Sequence, residues 1–61
     1  MTKDEVVSVM LESINADNRE MGKNAGISDS DMETQIANSQ ASLTFMMSNI
    51  YDKLKESGVI A

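Results

Sequence analysis

The segment Gly26-Ile27-Ser28-Asp29-Ser30-Asp31-Met32 constrains the fold more than any other stretch of this chain. Gly26 is free to take the left-handed conformation that closes one helix, and Ser28 with Asp31 three residues later opens the next as an N-cap. Ile27 stands between them, placed to staple against Met32 and to touch Met21 across a Schellman turn. Helix, tight corner, helix is the order these residues dictate.

A second start signal lies at Thr2-Lys3-Asp4-Glu5, a capping box in which the Glu5 amide donates to the Thr2 hydroxyl and the Thr2 amide donates to the Glu5 carboxylate. Between the two starts, apolar residues fall at Val7, Leu11, Ile14 and Met21, with Val6 and Met10 widening the stripe. Spacings of three and four mark one face of a helix, not the alternation of a strand. Asn18 is the polar member of this stripe. Beyond the corner the pattern resumes as Met32, Ile36, Gln40, Leu43, Met47, Ile50 and Leu54, with Ala37, Met46 and Tyr51 alongside. Asp29, Asp31 and Glu33 stand where a helix dipole favours negative charge, and Lys53 and Lys55 precede Gly58 at the other end.

The expected fold class is all-α: one antiparallel two-helix hairpin domain over 1–61, with helix one at about 3–25, the turn at about 26–28 and helix two at about 29–57. Its expected core is Val7, Leu11, Ile14 and Met21 against Met32, Ile36, Leu43 and Met47.

A hairpin alone is a poor solution for so short a chain. Domains near 60 residues bury only about 60% of the surface of their unfolded chains and commonly need a disulfide, a metal or association. Without Cys there is no disulfide, and without His or Cys a zinc site lacks its preferred ligands. Packing and oligomerisation remain. The expected helices are also unequal, about 33 and 43 Å at 1.5 Å per residue, so Tyr51, Leu54, Val59 and Ile60 are expected to lie beyond the reach of helix one.

Helix two carries no charge between Glu33 and Asp52. The segment is too polar for a bilayer span, yet it lacks the Glu and Lys pairs of an ordinary wet helix. Phe45 lies roughly 200° around the helix from Leu43 and so faces away from the stripe. Ala37, Ser39, Ala41, Ser42 and Ser48 offer room for another backbone. The expectation is a dimer closing into a four-helix bundle, or a higher helical oligomer. Phe45, Met46, Ile50, Tyr51, Leu54 and Ile60 are the expected interface to a partner or a second copy. Asn18 and Gln40 would set its register, as buried Asn does in coiled coils.

Composition then narrows the function classes. Ten acidic residues against five basic ones give a net charge of −5 and a pI near 4.3. Nucleic-acid and anionic-membrane binding rest on Lys and Arg clusters, so the expected partners are the chain itself and another protein, particularly one with a basic surface. Asp29, Asp31 and Glu33 open like a calcium loop, but Thr34 stands where the sharp turn needs Gly and Gln40 where a bidentate Glu belongs. A hydrolytic triad lacks its base, and the paired carboxylates Asp4 with Glu5 and Glu12 with Asp17 read as solvated charges. No cofactor and no enzymatic activity are expected. No targeting or membrane segment is visible, which points to the cytoplasm, and the chain has the style of a bacterial or bacteriophage product.

Met21-Gly22-Lys23-Asn24-Ala25-Gly26-Ile27-Ser28, followed by Met32, resembles the turn of helix-turn-helix DNA-binding domains. That resemblance implies a DNA-binding regulator whose recognition helix begins near Asp29, where this chain presents acids and no Arg or Lys until Lys53. The leading expectation is a small acidic, non-enzymatic protein–protein interaction module: a regulator, inhibitor or assembly factor acting as a helical homo-oligomer. An acidic mimic of nucleic acid, a helix-turn-helix regulator and a small-molecule binder with a site between subunits are the alternatives.

Overall fold

The computed structural model describes all residues 1–61 of the protein as two α-helices, α1 (Lys3–Asn24) and α2 (Asp29–Glu56), packed against each other. There is no strand, and the molecule is rod-like at 41 × 18 × 17 Å.

Each helix begins where its side chains satisfy the orphan amides of the first turn. At α1 the capping box is complete: the Glu5 amide donates to Thr2 Oγ1 at 3.2 Å and the Thr2 amide to Glu5 Oε1 at 3.1 Å. At α2 the Asp31 amide donates to Ser28 Oγ at 3.1 Å. Both helices end the same way. The Gly26 amide donates to the Lys23 carbonyl and Ile27 to Gly22, while Gly58 donates to Lys55 and Val59 to Leu54, the paired bonds of a Schellman motif. Gly26 has φ +81° and Gly58 φ +78°, a region in which a Cβ is strained.

Gly22 decides how closely the helices meet at the corner. It is buried, and a Cβ added there would collide with Met32 Sδ and sit beside Ile27. Farther along, three polar cross-ties set the register. Arg19 reaches Glu33, Asn15 Nδ2 donates to Gln40 Oε1 at 3.4 Å, and Lys3 Nζ lies 3.0 Å from Asp52. This register puts Leu11 level with Leu43 and Val7 level with Met47.

The seam is thin. Val7 at 4%, Leu11 at 7% and Ile36 at 7% exposure are its only buried apolar side chains. Ile14, Met32, Leu43 and Met47 are half-buried around them. Met21 departs from the expected core: it is 61% exposed, and Gly22 takes the buried place. A straight helix drifts by roughly 20° per heptad against a fixed stripe, so by the third turn after Leu11 the face turned toward α2 has passed Met21. The overhang is likewise shorter than the unequal lengths suggest. Lys3 holds the start of α1 level with Asp52, and Tyr51, Leu54 and Ile60 are half-buried, which leaves Val59 as the exposed apolar residue of the tail.

Candidate interaction surface

The two flanks of the hairpin differ in chemistry. At about 100° per residue, Asn15 and Arg19 lie ahead of Val7 around α1, and Gln40 and Glu33 lie ahead of Ile36 around α2. In an antiparallel pair, residues displaced in this same rotational sense share one side of the seam, and here they bridge it. Arg19 Nε donates to Glu33 Oε1 at 2.7 Å and Nη2 donates to Oε2 at 3.3 Å, a forked pair. These hydrogen bonds hold the Glu33 carboxyl below the ordinary carboxylate range, and Glu33 raises Arg19 in turn. Asn15 and Gln40 continue the polar line, and Asn15 Oδ1 is buried without a partner.

The opposite flank is apolar. Val6 and Met10 lie about 100° and 60° behind Val7, while Met46 and Ile50 lie about 80° and 40° behind Ile36. The register brings all four together at the open end of the hairpin. Val6 and Met10 are half-buried, Met46 is 47% and Ile50 46% exposed, and Ile14 and Leu43 lie beneath them. Neither Arg19–Glu33 nor Asn15–Gln40 spans this side. Toward the corner it becomes polar through Ser13, Asp17, Gln35, Ser39 and Ser42, and at the open end Lys53 borders it. Beside it, Asn49, Ile50, Lys53, Leu54 and Ser57 line an open depression of about 460 Å³.

Phe45 stands about 180° from Ile36 and is 69% exposed, the outermost aromatic of the molecule. Ala41, Ser42, Asn38 and Asn49 surround it on the helix surface, all uncharged and exposed.

Of the expected interface residues, Phe45, Met46 and Ile50 are therefore open to a partner, whereas Tyr51, Leu54 and Ile60 are half-buried in the hairpin's own end. Asn18 is half-buried, and it is Asn15 that Gln40 meets across the seam. Asn15 and Gly22 were not expected at the seam. The four-residue steps from Leu11 to Asn15 and from Asn18 to Gly22 carry that signal, but neither residue is apolar, so an apolar stripe does not reveal it.

The cleft at the corner, about 530 Å³, is open and lined by Arg19, Glu20, Lys23, Ile27, Asp29, Met32 and Glu33, a mixture of both charges. No group of three or more His, Cys, Asp or Glu side chains is arranged to hold a metal ion. No helix is long and apolar enough to cross a membrane. The fold and surface define a two-helix hairpin with one polar flank and one open apolar flank. No protein-family model matches the chain, and neither a curated protein nor a solved structure matches it.

Proposed function

We propose that this chain is a small acidic, non-enzymatic protein–protein interaction module that works as a helical homo-oligomer, in the manner of a regulator, inhibitor or assembly factor. One observation carries the reading: the monomer exposes too much surface for its mass. Its accessible area is 4456 Å² at 6.7 kDa, against about 3,900 Å² for a compact folded protein of that mass. Its radius of gyration is 13.7 Å, against roughly 10.5 Å for a compact domain of this length. A seam of three buried apolar residues is a small return for ordering the whole chain, and association is the remaining source of burial.

In this reading the oligomer buries one face and offers another. Phe45 is the anchor for a different protein, since an exposed aromatic ringed by small uncharged residues has the character of an interface centre. The net charge of −5 steers the module toward basic partners and acts more on association rate than on residence time. The test is light scattering across a hundredfold range of protein concentration, with circular dichroism in parallel. Mass above that of one chain supports the proposal. A well-folded monomer at every concentration refutes it.

A further inference from the structure

We propose that Met32 is a redox-sensitive latch of the helix corner: reversible oxidation of its thioether by a hydroperoxide expels the side chain from the seam and loosens α1 from α2 beside Gly22. The latch lies at the closed end of the hairpin, about 21 Å along α2 from Met46, and so is separate from the apolar flank and from the oligomeric reading.

Gly22 is buried, and Met32 Sδ occupies the space that the Cβ of any other residue would take there. The sulfur of α2 therefore rests on the backbone of α1, with Ile27 alongside. The Gly22 carbonyl also accepts the Ile27 amide at 2.9 Å, so the same glycine carries the turn. Ile36, one turn after Met32 on the same face, is one of the three buried apolar side chains of the seam. An apolar sulfur suits this contact. A sulfoxide does not, because it is polar, chiral and larger by one oxygen, and it disrupts apolar packing.

The sulfur is also within reach of a small oxidant. Met32 is half-buried and lines two open clefts, one of about 530 Å³ with Arg19 and Lys23 and one of about 230 Å³ with Asn18, Gln35 and Ser39. A water molecule takes about 30 Å³, so either cleft admits a peroxide. Lys23 makes no ion pair and stands in the larger cleft as a donor for an oxygen that has left the seam. The other methionines are placed differently. Met10 and Met47 are half-buried but line neither cleft, and Met1, Met21 and Met46 are exposed, where an added oxygen displaces little packing.

In the reaction the sulfur lone pair attacks one peroxide oxygen, and the O–O bond breaks as the S–O bond forms. The proton of the transferred oxygen passes to the departing hydroxide, which leaves as water. Sulfur is oxidised by two electrons and the peroxide is reduced by two. Sulfoxide reductases reverse the step, one enzyme for each epimer.

The test treats the full chain with hydrogen peroxide at one fixed protein concentration. Oxidation at each methionine is read by peptide mass spectrometry and the thermal midpoint by circular dichroism. Wild type is expected to lose about 5 °C or more of midpoint as Met32 gains one oxygen, the shift that loss of a modest packing contact gives in a domain this small. Met32→Leu keeps similar apolar volume without the sulfur and is expected to lose less than half as much, although its other methionines still oxidise. Met32→Gln is expected to show a lowered midpoint without any peroxide. The two reductases together are expected to restore the oxidised wild type. An equal loss in Met32→Leu, a Met32 that stays unmodified while Met21 and Met46 oxidise, or a loss that the reductases leave in place overturns the proposal. Should Met32→Leu fail to fold, the combined variant Met10→Leu, Met21→Leu, Met46→Leu and Met47→Leu decides: it is expected to keep the full loss, and a midpoint indifferent to peroxide overturns the latch.

Discussion

Leu11 and Met21 stand on the same apolar stripe of α1, yet the structure buries one and exposes the other, which makes the pair a sharp test of the packing. Leu11 is 7% exposed and Met21 is 61% exposed. Replacing a buried Leu with Ala removes its transfer energy and leaves a cavity, at a cost of about 2–5 kcal/mol. The seam here is only two helices thick and open on both flanks, so the cavity partly collapses and the low end, about 2–3 kcal/mol, applies. A chain of this size has a total stability of about 3–9 kcal/mol, so Leu11→Ala removes about a fifth of it or more. With a urea m-value near 1 kcal/mol/M, the midpoint falls by about 2–3 M. Met21→Ala removes an exposed side chain and leaves a better helix former, so the change stays within about 0.5 kcal/mol. Both are measured by urea denaturation followed by circular dichroism, at one fixed protein concentration because association adds to apparent stability. Equal losses from the two substitutions would refute the drift argument and put Met21 back in the seam.

Three further outcomes are expected. Gly22→Val places a branched side chain where Met32 already sits, and overpacking there lowers stability by about 1–3 kcal/mol in the same denaturation assay, a cost that Met32→Ala in the same chain partly relieves. Gly26→Ala forces a Cβ into the left-handed region at φ +81° and costs about 1–2 kcal/mol, even though no neighbouring atom opposes the added carbon. Glu33 is held below the ordinary carboxylate range by Arg19, so its stabilising effect is complete above the unfolded-state value and disappears as pH falls through the lowered folded value. Acid titrations of thermal midpoint should therefore show a shallower acid limb for Glu33→Gln than for wild type, and an unchanged limb refutes the pairing in solution.

Much of the architecture is written in local chemistry. The Thr2–Glu5 box, the Ser28–Asp31 cap and the positive-φ glycines at 26 and 58 act within four or five residues, so they can be read without knowing what the helices touch. The three- and four-residue spacing of Val7, Leu11, Ile36 and Leu43 announces one apolar face per helix for the same reason. These features determine that the chain is a hairpin of two helices with its corner at Gly26.

What each face meets is a different kind of question. The slow rotation of a straight helix against its neighbour, which spends a buried position on Gly22 and leaves Met21 in water, exists only once α1 and α2 are placed side by side. The same holds for the reach of Lys3 to Asp52, which shortens the overhang, and for the sorting of Asn15, Arg19, Glu33 and Gln40 to one flank while Val6, Met10, Met46 and Ile50 fall on the other. Periodicity assigns a residue to a stripe to within about half a turn. Whether it lands on the polar or the apolar side of a seam depends on the register between two helices, and that register is set by tertiary contacts between residues far apart in the chain.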